Sequence, residues 1–462
     1  APLWTAREIA DAADGEIAAD FDVSGVSIDT RTLKPGDLFV AIKGEKTDGH
    51  DYAAAAIEKG AAGVLVSFIP ADVPPEKAIV VPDVKQALDA MASRARNRTT
   101  AKIVGVTGSS GKTSTKEMLK AALSAVGKTH TTIGNLNNNL GMPLTLARMP
   151  RDADFAVIEM GISHSGEMTA LTELARPDIA LITMIGSAHC EYFKTPENTA
   201  RAKAEIFKGM SPTGIAVLNA DDPQFPLLIK EARKCGVTDV RSFGSTAEAD
   251  FSLINLAQIA EGVEITAKTG STARTFLLRL RGRHQVQNAL GVVAVLDALG
   301  ADMASALQAI GQLHPLKGRG QVLSLPCSDG AFTLIDDSYN ANPDSVRAGI
   351  RVLAVTDGKR KIAVLGDMLE LGENALEIHK DLADDLIENK IDLVFAVGEN
   401  CGAMFDVLPE RMRGAKASLS SEIAPVVAAT VKSGDAVLVK GSLGSEMVAV
   451  VDALKNISNL SE

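Results

Sequence analysis

Along this chain, short apolar runs repeatedly give way to stretches of helical spacing. Ile103, Val104 and Val106 form one run fit for a buried strand, and Met118, Leu119, Ala122, Leu123 and Val126 then follow at helical intervals. Runs at 155–158, 179–184 and 215–218 repeat the alternation. Over residues 99–313 the pattern predicts a mostly parallel sheet with helices on both faces. Three β-like runs near 251–256, 263–267 and 274–280, parted by turn residues, read as an antiparallel flap. An Ala-rich helix opening at 282–288 then ends before Gly300. From 314 onward, runs at 332–335, 361–365, 393–397 and 436–439 alternate with helices in a second, Rossmann-like doubly wound pattern. Residues 1–98 read as a smaller α/β unit. Its first helix is capped by Thr5, strands lie around 23–28, 37–42, 63–67 and 78–81, and helices at 52–59 and 84–96. The expected fold class is α/β in three domains: 1–98, 99–313 with the central sheet, and 314–462.

Composition narrows the function. With 46% apolar and 23% charged residues the chain is an ordinary globular sequence, long enough at 462 residues for several cores. A net charge of −11 argues against a nucleic-acid partner, because no basic face supplies the electrostatic term. No apolar run reaches membrane-spanning length, and the N-terminal residues lack the basic-then-apolar order of a signal peptide. The cysteines at 190, 235, 327 and 401 are far apart, so neither a disulfide scaffold nor a zinc site is signalled. A cytoplasmic protein is expected.

The chemistry gathers at Gly108, Ser109, Ser110, Gly111, Lys112, Thr113 and Ser114, a glycine-rich turn between a strand and a helix. Unpaired N–H groups and the positive end of the helix dipole favour an anion there. Lys112 can reach terminal phosphates, and the Thr113 hydroxyl can serve Mg²⁺. The first glycine of the full Walker pattern is replaced by Val106. A chance glycine turn is the bland alternative, and Gly-Lys-Thr at a strand-to-helix switch outweighs it. Glu159 ends the next strand, where parallel sheets bind ligands, and could share the Mg²⁺; a surface acid is the competing reading. His189 falls at the same sheet edge but is uninformative alone, and Lys203 by itself reads as a solvated helix lysine. Asp29, Thr30, Arg31, Gly44, Asp48, Gly49 and His50 form polar turns suited to a ligand or to ordinary turn chemistry. The third unit has polar strand ends at 336–343 and 366–370 but no phosphate loop of its own, so one nucleotide is expected.

Taken together, Thr-Gly-Ser-Ser-Gly-Lys-Thr (107–113), Glu159-Met-Gly, His189, Ala-Lys203-Ala-Glu and Asn288 resemble the Mur ligases, which build the peptide stem of the cell wall. Four stretches resemble the members that add D-alanyl-D-alanine to UDP-N-acetylmuramoyl-tripeptide: 135–143, 202–207, 339–343 and 365–372. The family's shorter phosphate loop accounts for Val106. The resemblance spans all three units and implies roles. Asp29, Thr30, Arg31, Gly44, Asp48, Gly49 and His50 would form the surface for the UDP-sugar end of the acceptor. Asn138 and Asn139 would contact its muramoyl-peptide side. Asn219, Asn288, Arg319 and Asp337 would meet ATP, and Tyr339, Asn340, Asn342 and Asp367 would receive the dipeptide. Lys112, His189 and Lys203 would be catalytic. Thr113, Glu159, His189 and a carbamylated Lys203 would hold two Mg²⁺ ions. One departure stands out: after Lys440-Gly441-Ser442 the family commonly has a basic residue, and this chain has Leu443.

The implied reaction is amide formation driven by ATP in a monomeric enzyme, through an acyl phosphate that the amine of the dipeptide then attacks. Rivals are a lysine- or diaminopimelate-adding Mur ligase and a folylpolyglutamate synthase. The former normally carries Tyr-Ala-His-Thr-Pro where this chain has Tyr-Asn-Ala-Asn-Pro (339–343). A P-loop nucleotide switch is the rival from another class, and it gives no reason for a third unit with its own polar edge.

Overall fold

The structure, a computed structural model, describes residues 2–186, 190–259 and 261–457. Three main sheets follow one another along the chain, with a two-stranded ribbon beside the first. The first sheet has five strands, in the order Glu16–Ile17, Ala78–Val80, Gly63–Val66, Asp37–Val40, Gly25–Ser27. The central sheet has nine, and its phosphate-loop strand Lys102–Thr107 lies between Phe155–Glu159 and Ile179–Ile182, parallel to both. The third has six, with an antiparallel edge hairpin of Gln321–Cys327 and Gly330–Asp337 and parallel pairing elsewhere.

Side-chain alternation places the central sheet between two apolar layers. Val104, Val106, Leu181 and Val217 face one, with the helices Lys112–Ser124 and Arg283–Ala298. Ile103, Ile158, Ile182 and Leu218 face the other, with Glu167–Ala175 and Pro196–Ala204. Strands covered on both faces become near-continuous apolar runs, which is why they stand out in the sequence. Such runs are missing from Thr129–Thr131, Asp239–Gly244, Gln321–Cys327 and Arg413–Ala417, among others. Of these four, all but Asp239–Gly244 are sheet edges, where one side meets no strand and polar residues are tolerated.

The expected flap is not a separate element. Phe251–Ile259 and Thr272–Leu278 each pair antiparallel with Gly262–Thr269 between them, and the first continues the central sheet by pairing parallel to Asp239–Gly244 at Phe243 and Gly244. The buried phenylalanines Phe243, Phe251 and Phe276 join these strands to the same core as Val104 and Val106.

The first and second units are tied by buried contacts. Trp4 is 0% exposed, its indole N–H donates to the Ala147 carbonyl at 2.8 Å, and the Arg98 guanidinium lies 3.7 Å from its ring centroid. Arg148 Nε donates to the Val26 carbonyl at 2.6 Å. Between the second and third units, close approach is permitted by glycines. A Cβ at Gly186 would collide with the Asp344 carboxylate, and one at Gly282 would stand 3.2 Å from Val352.

Candidate active site

The turn after Lys102–Thr107 needs its glycines. Gly111 has φ +82° and caps the helix Lys112–Ser124, and a Cβ there would lie 2.7 Å from Asn288 Oδ1. A Cβ at Gly108 would collide with the Thr183 hydroxyl. Backbone amides at this helix N-terminus form an anion cradle that any larger residue would fill. Within it Lys112 Nζ donates to the Gly108 carbonyl at 2.8 Å. Burial lowers the Lys112 pKa, with Glu159 opposing and Arg319 adding to the shift.

Glu159 is 1% exposed yet faces the cleft. It accepts from Asn137 Nδ2 at 2.8 Å and from the Thr113 hydroxyl at 3.2 Å, and its own N–H donates to Thr132 Oγ1 at 3.0 Å. The Lys116 ammonium, 0% exposed, lies 3.8 Å from its carboxylate and 3.0 Å from Glu117. Lys116 comes four residues after Lys112, and that helical spacing was the signal available for it. A carboxylate oxygen beside a threonine hydroxyl is the hard donor set Mg²⁺ takes, so these residues fit the ion.

A cleft of ≈ 1080 Å³ runs from this cradle to the third unit, lined by Ser109–Ser114 residues, Glu159 and Asn288 on one side and Arg319, Asp337, Tyr339, Asn340 and Asn342 on the other. Lys440 donates to Asp337 Oδ2 at 2.6 Å and to the Asn340 carbonyl at 3.0 Å. Burial raises the Asp337 pKa and Lys440 opposes it. The Arg319 guanidinium sits 4.1 Å over the Tyr339 ring. His284, which sequence reasoning did not single out, also lines the cleft; desolvation, with Lys440 and Arg351, lowers its pKa to about 4. Leu443, at the departure from the family pattern, lines the same cleft and is 60% exposed.

Other expected residues lie elsewhere. Asn138 and Asn139 are exposed, and Asn138 Oδ1 accepts from the Gly141 N–H at 2.9 Å at the start of the helix Gly141–Ala147. The asparagine that reaches the Glu159 carboxylate is therefore Asn137. The Asp367 side chain accepts from the Cys401 N–H at 2.7 Å at the start of Glu399–Val407, a helix-capping position outside the cleft lining. Asn219 also stands behind the lining: Nδ2 donates to the Thr183 carbonyl at 3.1 Å, and Oδ1 accepts from the Asp221 N–H at 3.0 Å. Asn342 lines the cleft but spends its Oδ1 on the Ser345 N–H at 2.8 Å, capping Pro343–Val355.

Lys203 is 1% exposed on the helix Pro196–Ala204, and not the solvated lysine its type suggests. Burial, and then the charge of Lys112, push its pKa well below the usual lysine value. His189 lies outside the described residues.

The first unit's polar residues are apart from this cleft. Arg31 and Asp29 form a bidentate pair with Nη2 to Oδ2 at 2.7 Å. His50 Nδ1 lies 2.6 Å from Asp48, and its Nε2 accepts from the Ser67 N–H at 2.9 Å, so both ring nitrogens are engaged. Gly44 and Asp48 line a separate hollow of ≈ 300 Å³.

Three family profiles match in succession: the Mur ligase family catalytic domain over residues 22–96, the Mur ligase middle domain over 106–296, and the Mur ligase glutamate ligase domain over 318–443. The chain is 37% identical over 454 residues to the UDP-N-acetylmuramoyl-tripeptide–D-alanyl-D-alanine ligase of Escherichia coli K12, covering 98% of each chain. The chain belongs to the Mur ligase family. Among solved Mur ligases, MurF from Acinetobacter baumannii superposes with a TM-score of 0.87 at 30% identity, covering 98% of this chain and 99% of that one. MurF from Thermotoga maritima in complex with ADP gives 0.79 at 28% identity, covering 95% and 98%.

Proposed function

We propose that this Mur ligase joins D-alanyl-D-alanine to UDP-N-acetylmuramoyl-tripeptide at the expense of ATP, in the cytoplasm, as a monomer. The observation that carries the reading is the single cleft in which the phosphate cradle of the central unit faces the Asp337–Asn342 edge of the third. The full-length similarity to ligases of that name supports the choice of substrates.

In this reading the acceptor carboxylate attacks the γ-phosphorus of ATP. An O–P bond forms, the bond to ADP breaks, and the dipeptide amine then displaces phosphate from the acyl phosphate. Two anions must meet, so cationic and N–H groups in a desolvated cleft carry the rate. Lys112 and the amides of residues 109–114 hold the phosphates. Thr113 and Glu159 would hold one Mg²⁺, and His189 with a Lys203 carbamate a second. Bound Mg²⁺ supplies charge neutralisation at the phosphates. The low pKa of Lys203 supports carbamylation, since only the neutral amine forms a bond to CO₂, releasing a proton. Asn137 and Lys116 keep the Glu159 carboxylate aimed at Thr113. The pair Asp337–Lys440 and the stacked Arg319 would close the third unit onto the nucleotide. Asp29, Arg31 and the hollow at Gly44 and Asp48 would take the UDP end of the acceptor.

The test is phosphate release from ATP with neither, one or both of the UDP-tripeptide and D-alanyl-D-alanine. Sustained release only with both supports the reading. Release indifferent to both would point to a nucleotide switch, and turnover with free lysine or diaminopimelate in place of the dipeptide would point to another Mur ligase.

A further inference from the structure

The helix Ala375–Glu388 buries His379, Leu382, Ala383 and Leu386 along one stripe. Three of these are the apolar side chains a core position takes. The fourth, His379, is 0% exposed, and a buried polar ring is costly unless its nitrogens find partners. Both do. Nδ1 lies 2.6 Å from the Ala375 carbonyl, and Nε2 accepts from the Met368 N–H at 2.9 Å. A carbonyl only accepts, so the proton sits on Nδ1 and Nε2 is the bare acceptor. Burial lowers the His379 pKa, which keeps the ring in this neutral form at neutral pH.

Asp367, His379 and Cys401 bring their donor atoms within 4.8 Å of one another, the spacing of a metal trio. The hydrogen bonds argue otherwise. Neither ring nitrogen is left for a cation, and the Asp367 oxygens accept from the Cys401 N–H at 2.7 Å and the Asn400 N–H at 3.3 Å. These groups fasten backbone instead. What His379 fastens is the turn after the strand Lys361–Gly366, whose Leu369, Glu370 and Leu371 line the cleft. Met368 and Leu371 are buried at its ends, and Leu369 and Glu370 are exposed between them. Glu370 has φ +61°, a left-handed backbone that a residue with a Cβ holds only where its surroundings fix it. Here they fix it from two sides. His379 takes the Met368 N–H, and the Ser442 hydroxyl takes the next one, from Leu369, at 2.9 Å. His379 is not itself part of the cleft lining, so any effect it has on a substrate passes through this turn.

We propose that His379 is a positioning residue for the amine substrate: its ring holds the Met368 N–H and so sets Leu369 and Glu370 as the wall against which the dipeptide lies. This rests on the reading that the third unit receives D-alanyl-D-alanine.

The test compares His379→Leu, His379→Asn and His379→Gln. The amide of His379→Gln extends far enough to set an acceptor where Nε2 stands. That of His379→Asn reaches only as far as Nδ1, and His379→Leu offers no polar atom. KM is measured for the dipeptide, the UDP-tripeptide and ATP, and hydrogen exchange is followed at the amides of residues 368–371. Leaving a buried N–H without its acceptor costs ~5- to 100-fold in the equilibrium it serves, so His379→Leu and His379→Asn should raise the dipeptide KM by about that much. The other two KM values should stay parental, and saturating dipeptide should restore most of kcat, as when binding alone is weakened. His379→Gln should return the dipeptide KM to near the parental value. The proposal fails if His379→Leu and His379→Asn leave that KM unchanged, or if His379→Gln behaves as they do. It also fails if kcat and all three KM values change together, which would make His379 a core residue of the third unit and nothing more. Should His379→Leu not fold, His379→Asn against His379→Gln decides. If the KM for the UDP-tripeptide rises instead, the assignment of the third unit to the dipeptide is at fault. Exchange at residues 368–371, faster in His379→Asn than in His379→Gln, then still judges whether His379 holds the turn.

Discussion

Replacing Lys203 by methionine separates a lysine kept for chemistry from one kept for packing. The side chain is 1% exposed, and among the described residues no hydrogen bond or ion pair engages its amine. The charge that acts on it most is Lys112, of the same sign, and burial adds to the same shift. Methionine has nearly the same length and shape without the polar end. Burial disfavours the charged amine, so Lys203→Met should stabilise the central unit, and the gain should be largest near neutral pH. A second, pH-dependent difference follows from the lowered pKa. Between the folded pKa and the ordinary lysine value of 10.5, the unfolded chain binds a proton that the folded chain does not. Parental stability therefore rises with pH through that window, at up to ~1.4 kcal/mol per pH unit, whereas the methionine variant has no such slope. The variant's advantage should shrink as the pH rises toward the ordinary lysine value of 10.5.

A chain of three units does not unfold in one step, so the readout is the opening free energy of central-sheet amides by hydrogen exchange. CO₂-free buffer keeps the amine unmodified. Ligation, measured separately with bicarbonate present, should fall ~10²-fold or more, as when a group serving transition-state charge is lost. A methionine variant that is less stable than the parent by the same amount at every pH would refute the argument. That result would mean a charged, paired lysine.

Lys112→Ala should lower turnover by ~10² or more with the fold intact; near-normal turnover at saturating ATP, with an unchanged circular dichroism spectrum, would contradict it. Arg31→Ala should raise the KM for the UDP-tripeptide and leave that for the dipeptide unchanged, and steady-state kinetics giving the reverse would exchange the roles of the first and third units. Asp435→Ala leaves the Arg360 guanidinium, now bonded to it at 2.6 and 2.9 Å, and the Lys432 N–H at 2.7 Å without their carboxylate. Because Arg360 is 34% exposed, the loss should be about 2–3 kcal/mol in the urea transition of the third unit. Trp4→Ala should cost ~3–5 kcal/mol and loosen the first unit from the second, seen as earlier proteolysis within 1–98; unchanged proteolysis would show that Trp4 does not hold the two together.

Much of the frame was legible because its causes are local. Thr5 and Thr195 cap their helices as their types and spacings suggest, accepting from the Glu8 and Asn198 N–H groups at 3.1 and 3.2 Å. Gly111 marks its turn because only glycine takes that backbone angle without collision. Strands sandwiched between helix layers advertise themselves as unbroken apolar runs. The rest depended on partners far along the chain. Nothing local tells Asn137 from Asn138: one meets Glu159, 22 residues away, and the other caps the next helix. Asp367 stands in a strand-end motif that reads as a ligand site, yet a helix 34 residues later claims its carboxylate. The burial of Lys203 is set by the layers packed around its helix. A residue's type limits which hydrogen bonds and charges it can offer. Which of them is used, and at what pKa, is decided by whatever the folded chain brings within about 3 Å, and that is a property of the tertiary structure alone.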